Sequence, residues 1–411
     1  MGVHDGCGGP PRLRVWALEP YFAGSHKYFL RGLARYSRHD VSLFTLPGRH
    51  WKWRMHGGAV SLAARVAGGA ESQTGCGKAA GSAALPQVLF ASDMLDLATF
   101  LALAGPSIAR VPALVYFHEN QLTYPLPPGV ERDLGYGMKN ITSALAACRI
   151  LFNSDYHRRD FLSAVEGLFS ALPDEIPEGV VDTLRAKAGV LPVGCDLRRF
   201  DAHRERALQE AAQGRWGDAS RGPLLLWNQR WEYDKAPERF FAALRALQAA
   251  GVPFRLALAG AQRGAPGEVF LQARSEFSAH IVHWGRVVDA ADYASLLWSA
   301  DVVVSTAVHE FFGVALVEAI YCGCRPVLPW RLAYPELIPA EARENVLYRE
   351  EDRLVPALME ALTAPRAWSE NWQRTWVARF DWASLGPRYD AEIRACRDAG
   401  LGPGVGVTVT R

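Results

Sequence analysis

Long apolar runs, one-sided charge and patterned cysteines are what this sequence lacks, and each absence removes a class of protein. No uninterrupted apolar run approaches the ~20 residues that span a bilayer, and the Gly/Pro-rich start, Met1 to Arg12, has no apolar core of the kind a signal peptide needs. Lysine and arginine number 45 against 43 aspartates and glutamates, a net charge of +2. No global basic field therefore marks a nucleic-acid binder, which leaves room for a local basic patch. Seven cysteines are scattered, with only Cys322 and Cys324 close together. An odd count without framework spacing points to reduced thiols in a cytoplasmic protein. No Cys/His set has zinc-finger spacing, and neither GxGxxG nor a P-loop Gly-Lys-Ser/Thr is found.

What is present fits two soluble domains. The chain has 411 residues and is 49% hydrophobic, enough for two cores. Apolar runs at 13–19, 41–45, 87–91, 112–117, 149–152 and 190–196 read as strands, and a second series follows at 223–228, 254–259, 280–284 and 301–305. Helical stretches alternate with them, which implies a parallel, doubly wound sheet in each half. Residues 197–221 are charged and mixed, as in a linker, and 68–84 are Gly/Ala/Ser-rich, as in a flexible loop. Near the end, Trp368, Trp372 and Trp376 stand four residues apart and read as one packed helical stripe.

The chemistry gathers at strand ends. Glu310 falls in the loop after the strand 301–305, and Glu318 lies inside the helix that follows. A helix N-terminus binds anions, and a carboxylate accepts two hydrogen bonds from a diol, so the pair suggests a nucleotide-sugar pocket. Arg230 and Lys235 flank a helix start, from which both can reach one diphosphate. His118 opens a polar run, Glu119-Asn120-Gln121-Leu122-Thr123-Tyr124, at a strand's carboxyl end, where open α/β sheets bind ligands. The turn Gly24-Ser25-His26 is either a phosphate-facing turn or a plain βα connection. In Arg49-His50-Trp51-Lys52-Trp53-Arg54, basic and aromatic residues interleave. They suit bases and phosphates, or the solvated start of an amphipathic helix.

Two Rossmann-like halves, the Arg230/Lys235 pair and the Glu310-x7-Glu318 spacing resemble a family 4 glycosyltransferase of the GT-B fold. More narrowly, EPYFAGSHK, TLPGRHWKWR, SDMLDLATF, YFHENQLTYP, WNQRWEYDK, HWG, ADVVVSTAVHEFFGVALVEAIYCGC and YPELIPAE resemble the glycosyltransferase-like domain-containing protein 1 family, which includes the tRNA-queuosine alpha-mannosyltransferases. The segments run from about residue 13 to about 340. The EFFG-x4-E element is shared across a broad superfamily; FHENQLTYP and RWEYDK are far more specific.

The resemblance implies an α/β, GT-B chain: two Rossmann-like, doubly wound parallel-sheet domains facing across a cleft. Residues 12–196 would form the acceptor-side domain, 197–221 a linker, 222–365 the nucleotide-sugar-binding domain and 366–397 a helical segment packing back on the first domain. It implies a retaining transferase without metal or cofactor that moves mannose from GDP-mannose to the cyclopentenediol of queuosine in the tRNA-Asp anticodon loop. The catalytic set would be His118, Glu310, Arg230 and Lys235. Gly24, Ser25, His26, Gly285, Arg286, Val287, Phe311, Phe312, Gly313 and Glu318 would bind the donor. Glu119, Asn120, Gln121, Tyr124, Arg49, Trp51, Lys52, Trp53 and Arg54 are the candidates for the acceptor, a queuosine-containing tRNA. Membrane insertion is not expected, and the sequence does not fix an oligomeric state. Two rivals stand beside this reading. One is the same chemistry on a lipid, polysaccharide or small molecule, since Lys27, Arg31 and Arg35 make the first helix basic. The other is a tRNA-binding protein without catalysis.

Overall fold

The computed structural model describes residues 11–68, 84–126, 129–172, 174, 177–261, 267–363 and 370–400. They divide into two units: those within 11–124, 131–194 and 382–400 form the first, and those within 125–130 and 195–381 the second.

The first unit is built on six strands: β1 (Arg14–Phe22), β2 (Asp40–Pro47), β3 (Val88–Ser92), β4 (Ala113–Phe117), β5 (Arg149–Phe152) and β6 (Ala188–Val190). Their order is β2-β1-β3-β4-β5-β6, every pair parallel. Strands β3 and β4 are buried along their whole length, which is why they read as unbroken apolar runs rather than alternating ones. The order reverses between β1 and β3, and a doubly wound sheet binds ligands at the carboxyl ends of such neighbours. Some of its helices are capped by side chains. Asp96 accepts from Thr99 N at 3.1 Å and Ser154 from His157 N at 3.1 Å.

The strand expected over 190–196 is β6 at Ala188–Val190, shorter and earlier. Pro192 has no N–H for a ladder. Beyond it Cys195 makes an isolated bridge to Asp381 in the second unit.

The second unit repeats the plan with β7 (Leu224–Asn228), β8 (Arg255–Ala259), β9 (Ile281–Gly285), β10 (Val302–Val304), β11 (Arg325–Pro329) and β12 (Leu347–Tyr348). The order is β12-β11-β10-β7-β8-β9, again all parallel, so its reversal falls between β7 and β10. Residues 197–221 carry the helix Arg204–Ala212 and belong with this unit. There Trp216 Nε1 donates to Ser295 Oγ at 3.1 Å, and Arg215 pairs with Asp292 at 2.6 Å. Of the terminal segment, Glu370–Ala378 lies in the second unit and the helix Trp382–Gly400 in the first. Trp382 is buried there, its indole lying where a side chain on Gly32 or Gly194 would be. The expected loop over 68–84 falls, apart from Gly68 and Ala84, outside the described residues, as does Trp368. Among the described residues no helix is long and apolar enough to cross a membrane.

Candidate active site

In the second unit two loops leave the switch-point strands and bind each other. The loop after β7 carries Arg230, the short turn Tyr233–Lys235 and Ala236, which sits in the left-handed region at φ 46° and opens the helix Pro237–Ala249. The loop after β10 runs from Ser305 to Gly313, whose φ of 95° starts the helix Val314–Tyr321. Thr306 Oγ1 donates to the Lys235 carbonyl at 2.8 Å, and Val308 N donates to the Asp234 carbonyl at 2.9 Å.

Lys235 is drawn inward by these contacts and is only 4% exposed. Its ammonium donates to the His309 carbonyl at 2.7 Å and lies 3.0 Å from Asp234 and 3.4 Å from Glu310. Burial pushes the Glu310 carboxyl up, but Lys235, the Phe312 N–H at 3.3 Å, His309 and Arg230 outweigh it and hold the group below the usual range. Glu310 is thus an anion at neutral pH. Burial first, then the Lys235 charge, takes His309 down to about 4, so that ring is neutral. Arg230 is half-exposed and pairs with Glu232 at 3.0 Å.

Glu318 lies one helix turn further in, 5% exposed. Its oxygens accept from Arg199 at 2.7 Å and from the Tyr293 hydroxyl at 2.8 Å, and Tyr293 in turn accepts from Asn228 at 2.8 Å. Arg199 and Tyr293 are not evident from sequence, since Arg199 falls in the presumed linker and Tyr293 in an ordinary amphipathic helix. Asn228, the polar end of an apolar strand, is the one that carries a signal. Phe311 and Phe312 are buried, with rings against His309 and Phe380, while the first two N–H groups of Val314–Tyr321 precede any intrahelical acceptor and those of Leu316 and Val317 donate to the Gly313 carbonyl. Gly285, at φ 110°, ends β9 on the sheet's edge; Arg286 is exposed and Val287 half-buried beside it.

In the first unit the predicted residues fall into a buried cluster and an exposed helix end. Gly24 and Ser25 are exposed on the first turn of the helix Gly24–Tyr36, with Gly24 at φ 50°. His26, on the same turn, is buried, and its ring lies 4.3 Å from that of His118 between centroids. The His118 N–H donates to Asp93 at 2.9 Å and its carbonyl accepts from Asn153 at 2.9 Å. Asn120 is fully buried, and its amide oxygen accepts from Leu122 N, Thr123 N and Thr123 Oγ1, so its side chain shapes the turn. Gln121 is tied through its N–H to Asn140 and through Nε2 to the half-buried Glu119, while the Tyr124 carbonyl accepts from Arg132.

The basic-aromatic run divides by exposure. Trp51 packs on Tyr136 at 5.4 Å beside Met55 and Met94. Trp53 is 63% exposed, with its indole lying over Gly57, where an added Cβ would come within 2.8 Å of it. Arg49 and Lys52 are exposed around it, and Arg54 is half-buried, its Nε on the Pro47 carbonyl at 3.0 Å.

Comparison with known proteins agrees with both halves. Residues 14–195 match the family model described as tRNA-queuosine alpha-mannosyltransferase N-terminal, and residues 222–364 match glycosyl transferases group 1. A tRNA-queuosine alpha-mannosyltransferase of Drosophila melanogaster is 32% identical over 381 residues, 91% of this chain and 95% of its own length. A GDP-mannose-dependent alpha-(1-6)-phosphatidylinositol dimannoside mannosyltransferase of Mycobacterium tuberculosis is 34% identical over 155 residues, 37% of this chain and 38% of its own. Among solved structures, a sucrose-phosphate synthase from Thermosynechococcus elongatus has a TM-score of 0.67 at 15% identity, covering 94% of this chain and all of its own. A UDP-forming alpha,alpha-trehalose-phosphate synthase from Burkholderia vietnamiensis has a TM-score of 0.63 at 13% identity, covering 96% and 99%. These share the fold, the two Rossmann-like parallel sheets of GT-B glycosyltransferases. With two glycosyltransferase sheets, a buried lysine–glutamate pair at the second switch point and a relative matched over nearly its full length, the chain is a glycosyltransferase and belongs to the tRNA-queuosine alpha-mannosyltransferase family.

Proposed function

We propose that the protein transfers mannose from GDP-mannose to the cyclopentenediol of queuosine in the tRNA-Asp anticodon loop, with retention at the anomeric carbon. The observation that carries the reading is the match of residues 14–195 to the N-terminal family model, continued by the Drosophila relative over 91% of the chain. The GDP-mannose donor draws support from the mycobacterial relative, whose name includes it.

The second unit supplies the charge chemistry. The leaving nucleoside diphosphate concentrates negative charge, and Arg230, Lys235 and the first amides of Val314–Tyr321 are fixed donors that stabilise it without reorganising. Glu310 accepts from sugar hydroxyls, since the Lys235 ammonium and Phe312 N–H keep it ionised. Glu318, oriented by Arg199 and Tyr293, accepts from the ribose, and Gly285-Arg286-Val287 serves the base. With Glu310 committed to its ion pair, the acceptor attacks on the face the phosphate leaves, and the departing phosphate oxygen takes the hydroxyl proton. In the first unit, Gly24, Ser25, His26 and His118 serve the diphosphate and transferred sugar. Trp53, Arg49 and Lys52 serve RNA, as an exposed indole stacks on an unpaired base while cations meet phosphates. No metal or cofactor takes part in this reading.

One observation favours a second acceptor. The mycobacterial relative is named for a phosphatidylinositol mannoside. On the helix Gly24–Tyr36, Lys27 and Arg31 lie over the Phe22 ring at 5.8 and 6.0 Å, and Arg31 and Arg35 are exposed, so basic side chains on this helix are open to an anionic surface. The test is a donor and acceptor panel. GDP-, UDP- and ADP-sugars are offered with tRNA or with phosphatidylinositol vesicles, and hexose incorporation is measured. GDP-mannose with tRNA is expected to react; incorporation into lipid alone overturns the proposal.

A further inference from the structure

The carboxyl end of β1 holds a buried carboxylate, Glu19, that the roles above leave unused. Glu19 is the acidic residue of the strand RVWALEPYF, whose one other charged residue is Arg14 at its start, and is 0% exposed. A carboxylate taken out of water costs several kcal/mol unless its lone pairs are filled. Both oxygens are occupied. Oε1 accepts the Tyr21 N–H at 2.7 Å, where the β1–β2 pairing shifts register, and Oε2 lies 2.8 Å from His26 Nδ1. His26 in turn stands with its ring against that of His118, the two planes tilted by 46°.

We propose that Glu19 is a positioning residue for sugar transfer: it fixes the His26 ring against His118 and decides which of the two touching imidazoles carries the proton. This rests on the function proposed above. Two imidazolium rings in contact repel, so one charge is favoured over two, and of the two rings Glu19 touches only that of His26. The groups facing His26 are Glu19 and Tyr21 from β1, Asp93 from the end of β3, and His118 and Glu119 from the end of β4. Burial alone would push His26 down; the charge and hydrogen bond of Glu19, aided by Asp93 and Glu119, reverse this and raise it to about 9. Burial, then the charges of His26 and His157, hold His118 far below its ordinary value. Asp93 is pushed up to about 8 by burial and by Glu119 against the pull of His26, so it adds little negative charge near neutral pH. His26 is therefore a fixed cation beside the exposed amides of Gly24 and Ser25, an arrangement that favours an anion. His118 stays a neutral ring. Touching groups with opposite protonation states are a sign of divided roles.

The experiment compares wild type, Glu19→Gln, Glu19→Asp and His26→Gln in the full chain. Histidine ring titration is followed by NMR, with signals assigned from the His26→Gln and His118→Gln variants, and hexose transfer is measured against pH. His26 is expected to titrate near 9 in wild type. In Glu19→Gln its midpoint drops below neutral, the alkaline limb of the kcat profile moves with it, and kcat falls about a hundredfold. Donor KM changes by less than about threefold, which marks a loss confined to the transition state. Glu19→Asp, which keeps the charge, recovers kcat to within about tenfold of wild type. If His26 stays charged at pH 8 in Glu19→Gln, or if only stability falls while kcat and the profile per folded molecule hold, the proposal is overturned. Should Glu19→Gln not fold, His26→Gln decides, because its amide can donate to Glu19 without carrying charge; wild-type kcat from it is contrary. The titration needs no donor or acceptor. If wild type transfers no hexose, the proposed function fails, while the midpoint shift still decides whether Glu19 sets the proton.

Discussion

The Lys235 ammonium stands 3.4 Å from Oε2 of Glu310, inside a loop pair that leaves the lysine 4% exposed. The pair is both structural and electrostatic, so the two halves of it fail differently. Lys235→Ala strands Asp234 and Glu310 beside an empty site and is expected to cost about 3–5 kcal/mol of stability as well as activity. Glu310→Gln keeps the shape and leaves Lys235 with Asp234 and the His309 carbonyl. It is expected to fold with little change in Tm and lose about a hundredfold or more in kcat. Steady-state hexose transfer and thermal unfolding, run together, check both.

Two histidines give the units opposite pH responses. His309 is lowered to about 4, so its contribution is complete above the ordinary value near 6.5 and is lost as pH falls toward 4. His26 is raised to about 9, so its contribution is complete below about 6.5 and is lost as pH rises through 9. His309→Gln is expected to flatten the acid limb of a stability–pH curve while His26→Gln flattens the alkaline limb. Thermal unfolding across pH 4 to 10 distinguishes the limbs; identical curves for both variants would contradict the assignments.

Glu318 is aimed from two sides, by Arg199 at 2.7 Å and Tyr293 at 2.8 Å. Tyr293→Phe removes one donor and leaves the Asn228 amide without its hydroxyl acceptor. Donor affinity is expected to fall about tenfold, as for a lost hydrogen bond to a charged group. Isothermal titration with the donor nucleotide measures it.

Gly260 sets the position of the Arg230 loop. An added Cβ would overlap the carbonyl oxygen of Gln229, which is backbone and cannot turn aside. Gly260→Ala is expected to cost about 1–3 kcal/mol and to displace Arg230, lowering kcat beyond what the stability loss explains. Kinetics on the folded fraction read the difference.

Trp51 and Trp53 separate packing from recognition. Trp51→Ala opens a gap beside Met55, Met94 and Tyr136 and is expected to destabilise by about 2 kcal/mol. Trp53→Ala is expected to leave stability within about 0.5 kcal/mol and to weaken RNA binding by about 1–3 kcal/mol. Replacing Arg49 or Lys52 should flatten the salt dependence of that binding, followed by fluorescence anisotropy.

The sheet strands were legible because buried parallel strands such as β3, β4 and β7 are unbroken apolar runs. Their order could not be read, since nothing local in β1 says that β2 and β3 flank it. The two-residue β12 is too short to carry a pattern. Lys235 and Glu310 stand out in the sequence at two strand ends, and the structure brings them to 3.4 Å. The partners of Glu318 do not stand out, because Arg199 and Tyr293 reach it from segments far apart in the chain. Glu19 carried a signal that went unread: an acidic residue within an apolar strand needs a partner, and His26 provides it seven residues on.

The most direct measurement is the mass of tRNA after incubation with the protein and GDP-mannose, using queuosine-containing and queuosine-lacking tRNA and wild-type or Glu310→Gln protein. A gain of one hexose with wild type on queuosine-containing tRNA alone, much reduced with Glu310→Gln, is the predicted result. No gain on either tRNA, or an equal gain on both, would contradict it.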